Sequence, residues 1–259
     1  MKKYLVISIL ASFIFTKATL AQNTRITNNN NIGWYNYFGT FNFNKKFGIH
    51  TEYQFRRNQT ISDRQQNLLR LGLNYQVNPN VQLRFGYANI ETFAYGEIPI
   101  DAFGKDFTEH RTFQMATVTD KVSLFDLSHR FMLEQRWLGR YSNANLSKED
   151  EFVFSNRLRY MFRIQMPLKG KTIEDNTPYL ALYNEMFLGF GKNVNENVFD
   201  QNRVGVLVGY RFSPNVRLEG GYLNQTLQLG REVDNRNVFQ YNNGIIINTI
   251  FNFDLASKK

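Results

Sequence analysis

From Phe47 to Arg57 the chain reads FGIHTEYQFRR, with Phe47, Ile49, Thr51, Tyr53 and Phe55 on one parity and Gly48, His50, Glu52, Gln54 and Arg56 on the other. A strand turns successive side chains to opposite faces, so this period predicts a strand with one greasy face and one charged face. The same alternation recurs along the chain. Leu69, Leu71, Leu73 and Tyr75 alternate with Arg70, Gly72 and Asn74, and Val81, Leu83, Phe85 and Tyr87 with Gln82, Arg84, Gly86 and Ala88. Phe125, Leu127, Phe131 and Leu133 alternate with Asp126, Ser128, Arg130, Met132 and Glu134, and Leu158, Tyr160 and Phe162 with Arg157, Arg159 and Arg163. Val204, Val206 and Val208 alternate with Arg203, Gly205 and Gly209. Two segments are less regular. Thr108 to Thr117 sets His110, Thr112 and Gln114 against Phe113 and Met115 with Arg111 on the apolar parity, and Tyr179 to Phe190 sets Leu180, Leu182, Met186 and Leu188 against Tyr183 and Glu185.

The connections alternate in length. FNKK, VNPN, TDKV and SPN are tight and rich in turn-forming residues. RNQTISDR, Phe93 to Lys105, Gly139 to Asp150, Gly191 to Val198 and Gly230 to Asn237 are longer and polar. Pro167 to Thr177 is longer than its place in this order predicts. Short turns at one end and long loops at the other describe a transmembrane β-barrel, with the turns periplasmic and the loops extracellular.

Composition sharpens this. The chain is 15% aromatic yet rich in Asn, Gln and Arg, with a formal net charge of +9 and no cysteine. Cysteine chemistry and disulfides are thereby excluded. MKKYLVISILASFIFTKATLAQ has the basic start, apolar core and small-residue cleavage site of a signal peptide, with cleavage expected after Ala21 and a mature domain over residues 22–259. No segment approaches the ~18 uninterrupted apolar residues of a membrane helix. The Lys and Arg residues are dispersed over many segments of an exported chain, which argues against a nucleic-acid partner.

A soluble β-sandwich would use similar alternation, burying its apolar faces between two sheets. Arg and Glu recurring on the polar parity of many strands, and few aliphatics for a core of this size, favour a barrel turned inside out. The fold expected is all-β, an antiparallel transmembrane β-barrel of about twelve strands, with ten as the alternative. Eleven segments are countable. Turn parity asks for one more, which only residues 22–31 could supply, as a short first strand or as a lumenal plug. Trp34, Tyr35, Tyr37, Trp137 and Tyr141 fall near segment ends, where aromatic girdles sit.

EHRTFQ, HRFMLEQRW, NRLRYMF, YNEMFLGFG, FDQNR and GYLNQ, in this order and spacing, resemble the domain-of-unknown-function 2490 family of Gram-negative outer-membrane proteins over roughly Gly33 to Phe253. That resemblance implies a barrel and an outer-membrane address, and no activity.

Chemistry is sought on the inward parity. The candidate lumenal cluster is Glu52, Arg56, His110, Arg130, Glu134, Arg136, Arg157, Arg159, Glu185, Gln201 and Arg203. Two uses of it stay open: a constriction or binding site for an anionic solute, or a ladder of Arg–carboxylate bonds filling a narrow barrel. An outer-membrane lipid or lipopolysaccharide hydrolase is the enzymatic alternative. It needs a serine in reach of a histidine, and none of His50, His110 and His129 has a serine two residues on. No calcium-loop spacing, phosphate cradle or dinucleotide fingerprint is present, so no cofactor and no metal are expected. The partners expected are outer-membrane lipids, the barrel-insertion machinery and an anionic solute, for a monomer. The role expected is a narrow pore, a binding barrel or a structural element.

Overall fold

The computed structural model describes residues 25–194 and 197–255. The expected signal peptide, its cleavage point and the last four residues of the chain lie outside them. Eleven strands follow one another: β1 (Arg25–Asn42), β2 (Phe47–Asn58), β3 (Asp63–Asn78), β4 (Val81–Thr92), β5 (Phe107–Val122), β6 (Phe125–Arg140), β7 (Glu151–Pro167), β8 (Thr177–Phe190), β9 (Phe199–Arg211), β10 (Val216–Val233) and β11 (Arg236–Asp254). Each pairs antiparallel with its sequence neighbours, and β1 closes the barrel by pairing parallel with β11 over its whole length. The closed barrel is therefore the expected fold, with eleven strands close to the twelve anticipated. Residues 25–31 do not form a separate strand; they are the first turns of the pleat in β1. An up-and-down chain with an odd strand number must close with one parallel pair, which resolves the parity that seemed to require a twelfth.

Connections 43–46, 79–80, 123–124 and 212–215 gather at one end with 168–176, and 59–62, 93–106, 141–150, 191–194 with 197–198, and 234–235 at the other. Two of the loops expected to be long are short, because β2, β3, β10 and β11 extend into them. The 234–235 turn has Asp234 and Asn235 at φ 51° and 55°, the left-handed pair of a tight hairpin that Asn and Asp tolerate.

The greasy parity faces outward. Leu69, Leu71 and Leu73 of β3 are 47%, 48% and 52% exposed, while Arg70 between them is 5% exposed. Phe85, Phe131, Leu158, Val206, Val208, Ile245 and Ile247 continue this outer surface on other strands. Two hairpins, β3–β4 and β9–β10, share the echo YQVNPNVQLRFGYAN and YRFSPNVRLEGGYLN. Their equivalent glycines, Gly86 and Gly221, lie so close to the facing strand that a Cβ would sit 2.1 Å from Leu71 O or Val206 O. Only glycine permits that approach.

The interior is filled. Ile32, Trp34, Tyr179, Ala181, Leu207, Leu223 and Ile246 form an apolar cluster on the inner wall, joined by Ile173 from the long turn 168–176. Arg211 holds that turn, donating to Ile173 O at 3.0 Å and pairing with Asp175 at 2.9 Å. The length of this connection, anomalous in the sequence, is explained by its insertion into the barrel mouth. At the other mouth, 93–106 folds inward. Tyr95 is buried and donates to Gln240 Oε1 at 2.8 Å, and Arg231 donates to Pro99 O at 2.7 Å.

Candidate functional site

The polar parity of β2, β3 and β5–β9 converges on the barrel axis. Directly paired strands place acid opposite arginine: Glu52 faces Arg70, Glu134 faces Arg157, and Glu185 faces Arg203. Arg70 Nη1 donates to both Glu52 oxygens at 2.8 and 2.7 Å. Glu134 accepts from Arg157 at 2.6 Å and Arg159 at 2.8 Å, with Arg111 and Arg70 at 3.7 and 3.9 Å. Arg70 reaches it from three strands away, so the network crosses the lumen. Glu185 accepts from Arg159 at 2.7 Å and Arg130 at 2.8 Å. Glu109 is gripped by Arg111 and Arg136, both at 2.5 Å, and Asp200 by Arg157 at 2.5 Å and Arg136 at 3.4 Å. Glu134 and Arg157 are 1% and 2% exposed, so water does not bathe the middle of the barrel.

A forked guanidinium matches a carboxylate bidentately, and in a dry interior such bonds are strong when every lone pair is used. Removing these charges from water is nevertheless costly. The network meets that cost by sharing Glu109, Glu134, Glu185 and Asp200 each among two or more arginines, while Glu52 has Arg70 together with His50 and Gln54. Aromatic faces help. Phe187 lies under Arg157, Arg159 and Arg203 at 5.1, 4.4 and 4.6 Å from its ring centroid, where a cation meets the negative face of the ring.

Above this layer, under 93–106, lies a chamber of about 160 Å³. Arg56, Arg111, Arg136, Arg140, Arg157 and Arg203 line it, against the two carboxylates Glu109 and Asp200. Gln65, Gln66, Gln201, Gln225 and Tyr95 complete its polar wall. Burial raises the Tyr95 hydroxyl above its ordinary pKa, which keeps it a neutral donor.

Of the residues expected in the lumen, Glu52, Arg56, Arg130, Glu134, Arg136, Arg157, Arg159, Glu185, Gln201 and Arg203 face inward, and all of these are buried or half-buried. His110 does not. It sits on the outer face of β5, hydrogen-bonded to Tyr87 through Nδ1 at 2.5 Å and stacked on that ring. β5 carries its aromatics inward, so Phe113 and Met115 pack with Met132 inside the barrel and His110, Thr112 and Gln114 face out. Arg111 is thereby inside with Glu109. Trp34 is the second correction: far from any girdle, it is 2% exposed within the interior. His129, on the outer face of β6 in regular register, is hydrogen-bonded to Tyr160 at 2.9 Å. His50 Nε2 lies 3.3 Å from Glu52. Among the described residues no histidine is hydrogen-bonded to a serine, and no acidic or histidine cluster has the geometry of a metal site.

The sequence reading omitted Glu109, Arg111 and Asp200. The run EHR carried the signal for the first two, an acid and an arginine two residues apart and so on one face. Asp200 sits beside a register shift between Phe187 and Leu188 of the facing strand, and both it and Gln201 are buried. Parity does not survive such an irregularity.

The family model that matches this chain is described as a protein of unknown function (DUF2490), and it covers residues 31–236. Among solved structures, one described as the NanC porin in a rhombohedral crystal form is similar at 12% sequence identity and a TM-score of 0.42, covering 85% of this chain and 97% of that chain. No curated protein matches the chain.

Proposed function

The chain belongs to the DUF2490 family, whose description assigns no role, and we propose that it is an integral outer-membrane barrel, without enzymatic activity, that binds rather than conducts. One observation carries this reading: hydrocarbon side chains cover the outside while ion-paired arginines and carboxylates fill the inside. Lipid offers no hydrogen bonds, so only a closed sheet with its backbone groups paired is stable in it. A closed sheet with exposed Leu, Val and Phe on its outer face suits that solvent. The anomalously long turn 168–176 and the inward fold of 93–106 occupy the two mouths, and the Glu134 network occupies the middle. An open channel would instead leave its lining arginines wet. Three oriented groups would be needed for hydrolysis, and nothing in the histidine environments favours it.

Planar-bilayer recording of the refolded protein tests the proposal. Wild type is expected to insert, as shown by heat-modifiable migration, and to remain electrically silent. Stable, anion-preferring unitary currents that fall on Arg157→Ala would establish a pore instead.

A further inference from the structure

Of the six arginines less than a tenth exposed among the described residues, two differ from the other four in what they hold. Arg56, near the end of β2, is 5% exposed, and its guanidinium donates to amide oxygens, Gln54 Oε1 at 2.9 Å and Gln66 Oε1 at 2.5 Å. No carboxylate among the described residues lies within ion-pair distance of it. Arg203 of β9 donates to Gln201 Oε1 at 3.0 Å. Its nearest carboxylate, Glu185 at 4.0 Å, already serves Arg130 and Arg159. The two guanidiniums lie 3.8 and 4.7 Å from the Trp34 ring centroid, and both open onto the 160 Å³ chamber.

A buried cation whose only partners are amides is poorly compensated, and two beside one ring repel each other. The other four buried arginines, Arg70, Arg111, Arg157 and Arg159, each have a carboxylate within 2.7 Å. Arg56 has none and Arg203 only the shared Glu185 at 4.0 Å, which points to a counter-ion that the described residues do not supply. We infer that Arg56 and Arg203 form the binding site for the oxyanion group, phosphate or carboxylate, of a small solute seated in the chamber, with Trp34 stacked behind the two guanidiniums. The inference rests on the binding reading proposed above and names the ligand class. Forked guanidiniums present paired N–H donors to such a group, and the nearby glutamines can turn an amide N–H or oxygen toward hydroxyls on the same solute. The chamber is about the size of an engineered cavity of ~150 Å³ that takes up benzene. A solute of roughly one ring's bulk therefore fits.

The test uses Trp34 itself. The chain has two tryptophans, and Trp137 is on the outer face, packed on Phe154, so Trp137→Phe leaves Trp34 as the reporter. The refolded protein is titrated with inorganic phosphate and, separately, with acetate, at constant ionic strength in chloride. A saturable change in Trp34 emission is expected with at least one of them, and which one responds distinguishes the two oxyanions. Arg56→Gln or Arg203→Gln should raise the half-saturation concentration at least tenfold, with heat-modifiable migration certifying each fold. Thermal unfolding gives a second readout. The effective anion should raise the melting temperature of wild type and of neither variant, and without anion Arg56→Gln should melt no lower than wild type. A merely structural Arg56 would give a lower melting temperature and no dependence on anion. A linear response to both anions, or one unchanged in both variants, would overturn the site. A conducting protein with a saturable response would overturn the closed-barrel reading and leave the site standing; a silent protein without one would do the reverse.

Discussion

Glu134 is the residue on which most of the interior charge converges. Arg157 and Arg159 bond it directly and Arg111 and Arg70 stand just beyond, all on other strands. Replacing it with Gln removes the counter-charge but leaves the arginines buried, the case in which breaking a buried pair costs about 3–5 kcal/mol. Urea unfolding in detergent should show a loss of that order for Glu134→Gln. Lys121 and Asp126 also pair, at 3.0 Å, but near a turn with 45% and 36% of their side chains exposed, so Asp126→Asn should change stability by no more than about 1 kcal/mol. Equal effects for the two substitutions would show that the interior is wet. At this scale the sequence was informative wherever a strand is regular. Alternation alone placed Glu134, Arg157 and Glu185 inside, because a pleat has a period of two. It misplaced His110 because β5 turns Phe113 and Met115 inward, where they fill space between neighbouring strands, and hydropathy cannot tell an aromatic facing lipid from one filling a lumen.

The seam between β1 and β11 is the element that the sequence hid. A strand's partners across a barrel's closure are the most distant in the chain, and nothing local encodes whether they run parallel. The seam nonetheless has a device that fixes its register. Asn30 donates to Asn242 at 2.8 Å and Asn36 to Asn248 at 2.9 Å, each pair directly in register on the inner face. A slip by one residue would turn the inner Asn30 and Asn36, or Asn242 and Asn248, outward. Asn248 also donates to Glu219 at 3.0 Å, which ties the seam to β10 and, through Arg163, to β7. Asn36→Ala and Asn248→Ala are each expected to cost about 1–3 kcal/mol, the penalty of stranding a buried amide partner. Because they remove the same bond, the double variant should lose less than the sum, with a coupling of about 0.5–3 kcal/mol. Strict additivity in the same unfolding assay would mean that the two strands are not paired in this register. Turn 168–176 was legible by its excess length, but its purpose was not, since Leu168 and Ile173 are its two apolar residues in an otherwise polar stretch.

For the whole molecule, odd strand number and parallel closure set Arg25, where β1 begins, at the end of the longer loops, and Asp254, where β11 stops, at the end of the turns. The barrel thus has a chamber beneath the loops, a charge-paired middle, and a turn inserted at the opposite mouth. Its orientation, greasy outside and charged within, was legible from the unusual joining of many aromatics with many arginines; the filling of the lumen was not, because it depends on the barrel's radius. All of this requires that the two parities of each strand meet different surroundings. The absence of native cysteine makes that measurable. Single cysteines at Leu69, Leu71 and Leu73, and at Arg70, Gly72 and Asn74, would each be spin-labelled in the lipid-reconstituted protein, and their collision rates with oxygen and with a water-soluble nickel chelate compared. The first three are expected to show high oxygen and low nickel accessibility, as lipid-facing sites do, and the second three low values for both. A profile without that two-residue period, or one in which the leucine positions meet the nickel chelate, would contradict the account.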